Sequence, residues 1–314
     1  MDEVVCLLEI SYGWSVCFPV AGNFFSICCM IQMQQFSYRY DCKKTLFNGL
    51  DLTLPSGKIY GLLGKNGAGK SSLIKNISGL LYPSMGTCTV NGFESRLRQT
   101  SFLEQLFFIP EECELPKLSM IQLTAIYAPF YPRFNRLRLK EYMEIFQVSM
   151  DSVLHKLSFG QKKKAYIAFA LAADTEVLIM DEPTNGLDIP SKVKFRNMVA
   201  GAGRKDKLII MSTHQVRDLD DLINTIVIMD DSKILLYEDK EVLCRRLRFE
   251  DSIHANSSHI IYKEQTPNGE IAMCINDQLT SNYLDLEILF NATLQHSEMI
   301  GKLFPVNLKT DVCN

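Results

Sequence analysis

The sequence predicts an α/β protein built on a parallel sheet, and three observations carry that prediction. A glycine-rich run, Gly64-Lys65-Asn66-Gly67-Ala68-Gly69-Lys70-Ser71, stands between an apolar pentapeptide, Ile59–Leu63, and a helix-forming stretch, Ser72–Ile77. Three more apolar runs, Val177–Met180, Lys207–Met211 and Thr225–Met229, have the unbroken character of strands covered on both faces. Segments read as helical, residues 112–157 and Lys162–Ala172, lie between Ile59–Leu63 and Val177–Met180, as the crossover connections of a parallel sheet require.

Taken in chain order, Met30 to Leu54 reads as short β segments with a basic turn at Lys43-Lys44. Leu50-Asp51-Leu52-Thr53-Leu54 alternates as a half-exposed strand does, and Pro55-Ser56-Gly57 turns it. Ile59–Leu63 is the buried strand that feeds the glycine-rich run. A further strand, from Gly86, ends in an Asn91-Gly92 turn. Residues 112–157 read as helical and aromatic-rich, with Tyr127, Phe130, Tyr131, Phe134, Tyr142 and Phe146. Ser158 is a natural N-cap for a helical run from Lys162 to Ala172, in which Lys162-Lys163-Lys164 reads as a solvated face. After about Leu243 the chain turns to polar strands, an Asn268-Gly269 turn and an amphipathic helix near Leu284–Leu294, which together read as a small separate α+β element. Three units are therefore expected: residues 1–29, 30–243 and 244–314.

Bulk composition bounds the class. A chain of 314 residues can hold one large α/β domain and a smaller appendage. Hydrophobic content of 47% and a net charge of −3 describe a soluble globular protein without the basic field of a general nucleic-acid binder. No stretch reaches the roughly 18 to 20 apolar residues of a spanning helix, so work at a membrane needs a partner. The ten cysteines include no C-x-x-C pair, which argues against a zinc site or disulfide framework and for a reducing cytoplasm. Residues 1–29 stand apart, with no Lys or Arg and four of the ten cysteines. A secretory signal needs a basic start. The segment reads as an over-extended start, with Met30 or Met33 beginning the protein, in preference to a short hydrophobic anchor.

The chemistry concentrates in a few places. The run from Gly64 matches G-x-x-x-x-G-K-[ST], a loop whose backbone N–H groups wrap nucleotide phosphates. Its glycines admit the backbone close to the anion, and the helix that follows turns its dipole and unpaired donors toward it. Lys70 can reach the β- and γ-phosphates, and the Ser71 hydroxyl can ligate Mg²⁺. Asp181 and Glu182 end the strand Val177–Met180, where ligands of parallel sheets bind. Asp181 is placed to hold Mg²⁺, and Glu182 to polarise a water toward the γ-phosphate. Ser158-Phe159-Gly160-Gln161 opens a helix and offers a second anion site. His214 follows another strand at the same sheet edge and reads as a phosphate sensor.

The order of these motifs, with Gly186-Leu187-Asp188 after Pro183 and Ser212-Thr213 before His214, resembles the ATP-binding cassette ATPases over residues 30–240. The resemblance implies a P-loop NTPase core with a parallel sheet, an antiparallel β subdomain and an inserted helical subdomain at about 112–172. Gly64, Lys65, Asn66, Gly67, Ala68, Gly69, Lys70, Ser71 and Ser72 would then hold ATP, and Tyr40 (in preference to Tyr38) would stack on adenine. Cassettes of this kind dimerise head to tail, so Ser158, Gly160 and Gln161 would contact the ATP of the other subunit. Asp188 would lie in the loop that communicates across that dimer. Glu182 would be the catalytic carboxylate and His214 the switch residue.

Two departures stand out. Phe159 occupies a position usually filled by glycine, and Glu111 stands where the family has glutamine near the metal, so that Ser71, Glu111 and Asp181 form the expected Mg²⁺ set. The resemblance is to the ATPase subunits of ABC-2 type bacterial exporters, which drive separate integral membrane subunits from the inner face of the cell membrane. A soluble mechanochemical ATPase acting on ribosomes or DNA is the alternative, but such members carry two cassettes or long coiled-coil arms. A non-hydrolysing regulator is a third reading, opposed by Glu182 and His214. No direct nucleic-acid partner is expected.

Overall fold

The computed structural model describes residues 30–40, 45–203, 206–251, 259–267, 269–276 and 283–306. The expected N-terminal extension, the Lys43-Lys44 turn and Asn268 lie outside the described residues. Along the chain, β1 (Met30–Arg39) and β2 (Thr45–Pro55) pair antiparallel, and β3 (Ile59–Gly64) leads through the glycine-rich loop into α1 (Lys70–Ile77). β4 (Met85–Val90) returns beside β1 and carries the short β5 (Phe93–Glu94), with Asn91-Gly92 as the turn between them. α2 (Thr100–Gln105) then hands over to β6 (Leu106–Ile109). Three helices follow, α3 (Met120–Tyr127), α4 (Arg136–Ile145) and α5 (Phe159–Ala173). β7 (Val177–Asp181), α6 (Ile189–Ala202), β8 (Leu208–Thr213), β9 (Thr225–Asp230) and β10 (Lys233–Asp239) complete the main sheet. The chain continues through α7 (Lys240–Arg246), β11 (Leu247–Asp251), β12 (Ile260–Thr266), β13 (Gly269–Ile275), α8 (Leu286–Gln295) and α9 (Ser297–Leu303).

The central sheet has the order β10-β9-β3-β8-β7-β6, all parallel except the edge strand β10. A four-stranded antiparallel sheet, β2-β1-β4-β5, covers one face. The unbroken apolar runs are explained by burial on both sides. Val177, Ile179, Leu208 and Ile210 pack toward the antiparallel sheet and α1, whereas Leu178, Met180, Ile209 and Met211 pack toward α5 and α6. Fully burying one such side chain contributes about 1.5–3 kcal/mol, so the alternation fixes the register firmly.

Register also assembles the site. Leu63 pairs with Thr213, and Asp181 with Ser212, so β3, β7 and β8 end level with one another. The loops after these strands therefore open on one edge, as ligand sites of open parallel sheets do. A tight turn at Asp231-Ser232, both residues in the left-handed region at φ 42 and 63, joins β9 to β10. Its Ser232 N–H donates to Ala68 O at 3.1 Å, which braces the glycine-rich loop from below.

Three sequence expectations need amendment. Residues 112–118 are not helical; the chain stays irregular after Pro110 until Ser119 caps α3 with a full capping box. Lys163 is not on a solvated face: it is fully buried, with its ammonium donating to backbone carbonyls at the ends of β6 and β7. The C-terminal part does not stand apart. Its three-stranded sheet, β11-β13-β12, and α8 bury Ile261, Met273, Leu286 and Leu289 in the same core as Ile226, Ile228 and Leu236.

Candidate nucleotide site

The glycine-rich loop leaves β3 and enters α1 with Gly67 and Gly69 at φ 84 and 102, a region that an L side chain rarely adopts. A Cβ at Gly69 would also press on the Phe47 ring at 3.1 Å. The loop can wind tightly only because these two residues are glycine. Lys70 is buried beneath it, with its ammonium donating to Gly64 O at 2.7 Å and Lys65 O at 3.1 Å. Burial lowers the pKa of this ammonium, and the charges of Glu182, Asp181 and Glu111 oppose that shift.

The loop forms one wall of a cleft of about 480 Å³. Asn66, Gly67, Gly69, Lys70, Ser71 and Ser72 line it together with Tyr40, Leu46, Glu111, Glu182 and His214. Tyr40 is exposed and bonds through its hydroxyl to Ser72 Oγ at 2.7 Å, while Tyr38 is buried in the antiparallel sheet. Of the two tyrosines weighed in the sequence, only Tyr40 faces the cleft. Leu46, which gave no signal in the sequence, supplies an apolar side wall.

Glu182 breaks from β7 in a left-handed conformation, φ 45, unusual for a residue with a Cβ and typical of functional sites. Two bonds stabilise it there: its N–H meets Ser212 O at 3.1 Å and Ser212 Oγ at 3.2 Å. The turn aims its carboxylate at His214, whose N–H donates to Glu182 Oε1 at 3.0 Å and whose Nδ1 lies 2.7 Å from the same oxygen. A carboxylate acceptor requires the proton on Nδ1, which frees Nε2 for the cleft.

Asp181 lies deeper. It is 3% exposed and accepts a close hydrogen bond from Ser212 Oγ, so it sits under the cleft instead of lining it. Glu111 lines the cleft with Oε1 accepting from Asn185 Nδ2 at 2.9 Å. Among the described residues no group of three or more His, Cys, Asp or Glu forms a metal cage. Mg²⁺ takes one or two carboxylates and completes its shell with phosphate and water. The Ser71 hydroxyl, Glu111 and the underlying Asp181 fit that pattern.

The remaining predicted residues do not reach this cleft. Ser158 caps α5 in a reciprocal capping box with Gln161, and Asp188 caps α6 by accepting from Ser191 N at 3.2 Å. The Ser191 hydroxyl lowers the Asp188 pKa most, and Lys164, 3.3 Å away, and the Ser191 N–H add to the effect. Gly160 approaches the backbone so closely that a Cβ would lie 2.6 Å from Gly186 O. Phe159 lays its ring against Gly186 while remaining half exposed. Besides Leu46, the sequence did not single out Lys163, Asn185 and Ser212, each of which acts through partners far away along the chain.

A two-faced parallel sheet with this loop at its carboxyl edge defines a P-loop nucleotide-binding protein. Residues 47–185 match the family model described as "ABC transporter". The chain is 31% identical over 189 residues to the Achromobactin transport ATP-binding protein CbrD of Dickeya dadantii (strain 3937), covering 55% of this chain and 69% of that protein. It is 29% identical over 281 residues to the Linearmycin resistance ATP-binding protein LnrL of Bacillus subtilis (strain 168), covering 87% of this chain and 89% of that protein. The fold is shared with a solved structure described as "Structure of ATP binding subunit of ABC transporter", at TM-score 0.62 and 22% identity, over 69% of this chain and 92% of that one. The chain belongs to the ABC transporter ATP-binding family, whose members hydrolyse ATP to drive transport and work with membrane permease subunits. Among the described residues no helix is long and apolar enough to cross a membrane.

Proposed function

We propose that this chain binds ATP with Mg²⁺ in the cleft at Gly64–Ser72 and pairs with a second cassette to power a separate permease, an exporter of the ABC-2 type. The observation that carries the reading is the convergence of Lys70, Glu182 and His214 on one cleft from three different loops. Residues 30–243 form the ATPase domain, and the described strands and helices after residue 243 extend its core. The chain works in the cytoplasm, at the inner face of the membrane.

Each residue has a distinct task. Lys70 gives up its two backbone carbonyls for the β- and γ-phosphates. Tyr40 stacks on adenine, and Ser71, Glu111 and Asp181 hold Mg²⁺, which supplies neutralisation of phosphate charge when bound. Glu182 orients and polarises the attacking water. His214, fixed by its Nδ1–H bond to Glu182, reaches the γ-phosphate through Nε2. Ser158, Gly160 and Gln161 complete the partner cassette's site, and Asp188 reports across the dimer.

The test separates binding from turnover. Lys70→Ala is expected to weaken ATP binding, measured with a fluorescent analogue. Glu182→Gln is expected to keep binding and lose about 100-fold or more in hydrolysis, the scale typical of a positioned acid–base or electrostatic group. Near-normal hydrolysis by Glu182→Gln would overturn the catalytic assignment.

A further inference from the structure

Lys163 is a buried cation that the mechanism above leaves unused. Its side chain is fully buried. The ammonium donates to three backbone carbonyls: Glu111 O at 2.8 Å, Pro110 O at 3.0 Å and Asp181 O at 3.3 Å. An ammonium carries three donors and no acceptor, so these partners match the charged form one for one. A buried charge is tolerated only when satisfied in this manner.

The three carbonyls belong to the ends of two neighbouring strands. β6 and β7 pair as far as Ile109 and Met180. The next residue on β6 is Pro110, which has no N–H to continue the ladder. Beyond that point the lysine replaces the ladder and ties together the backbones from which Glu111 and Asp181 project. Lys163 itself lies in the first two turns of α5, whose N-cap is Ser158. The same short piece of helix therefore presents Ser158, Gly160 and Gln161 at one end and grips the metal-side backbone at the other. Helical rise of 1.5 Å per residue puts these two functions about 7 to 8 Å apart along the axis.

We propose that Lys163 is a positioning residue for ATP hydrolysis, which locks the start of α5 to the backbone of Glu111 and Asp181 so that movement of the Ser158–Gln161 turn sets the placement of the cleft carboxylates. The inference rests on the assignment of Asp181 and Glu182 given above. A lysine with a merely structural role would affect stability and leave turnover of the folded protein unchanged.

The experiment compares Lys163→Met, which keeps the apolar stem and removes all three bonds, with Lys163→Gln, which restores part of the donor set. Both are made in the full chain, with Glu182→Gln as a control, and assayed well below their melting midpoints. The expected result for Lys163→Met is a kcat lowered by roughly 10- to 100-fold, the scale of a small misplacement of reacting groups. KM for ATP, and affinity for a fluorescent ATP analogue without Mg²⁺, should stay within about threefold of wild type, and Lys163→Gln should fall between the two. A folded Lys163→Met with kcat within about twofold of wild type overturns the proposal, as does a loss of nucleotide affinity equal to the loss of kcat. If Lys163→Met does not fold, Lys163→Gln decides on the same criteria. Turnover retained by Glu182→Gln sinks the underlying site assignment. An inactive Glu182→Gln beside an active Lys163→Met sinks the Lys163 proposal alone.

Discussion

Ser212 serves two neighbours at once. Its hydroxyl donates to Asp181 and accepts from the Glu182 N–H, so one side chain holds the buried carboxylate and the left-handed turn that aims the exposed one. Ser212→Ala is expected to cost about 1–3 kcal/mol in denaturant unfolding, because a buried acceptor loses its donor. Hydrolysis should fall with it while nucleotide binding holds; unaltered unfolding would show that Asp181 finds another donor. Residues of this kind mark where sequence reading stops. Lys70, Ser71, Asp181 and Glu182 were legible because their chemistry is written in adjacent letters at the end of an apolar run. Asn185 was not, since its partner Glu111 is 74 residues away. Lys163 was misread for a related reason: three consecutive lysines look solvated, and only packing shows that the middle one faces the sheet.

Elements were legible in proportion to how much of their burial is periodic. The apolar runs became β7, β8 and β9 within a residue or two, and the capping residue Ser158 marked the start of α5 three residues earlier than the apolar pattern did. The stretch 112–118 departs from the expected helix, since Pro110 just before it and Pro116 within it interrupt the backbone hydrogen bonding. The contact between α5 and the loop after β7 gives an element-scale prediction. Gly186→Ala should cost about 1–3 kcal/mol, from φ 78 and from the Phe159 ring that its Cβ would meet. Adding Phe159→Gly should recover part of that loss in a double-mutant melt; strictly additive costs would mean the ring does not matter. The aromatic segment after α3 divides in two. Phe134 and Tyr131 pack on Phe169, with ring centroids at 4.9 and 6.4 Å, whereas Tyr127 and Phe130 stay exposed beside a groove of about 730 Å³ that Leu80, Leu103 and Phe108 also line. Phe130→Ser is expected to reduce co-purification with the permease at unchanged melting temperature, and Phe134→Ala to lower melting temperature by several degrees. The opposite pattern would place coupling elsewhere.

The molecule as a whole is bound by a core that ignores the boundary near residue 243. α8 packs against β9 and β10, and Leu289 is fully buried there. Leu289→Ala should therefore lower stability by about 2–5 kcal/mol through one calorimetric transition. Two separated transitions would show that the C-terminal part folds by itself. The sequence suggested an independent element because polar strands advertise their exposed faces and hide what the other faces touch. The turn between β9 and β10 has a consequence of its own. The Ser232 amide finds its acceptor at Ala68 in the glycine-rich loop, so it can trade its proton for deuterium only when loop and turn part. ATP held by the loop should slow exchange at that one amide by about tenfold or more, and Lys70→Ala should abolish the slowing. An amide outside the cleft would then act as a meter of how long the nucleotide stays.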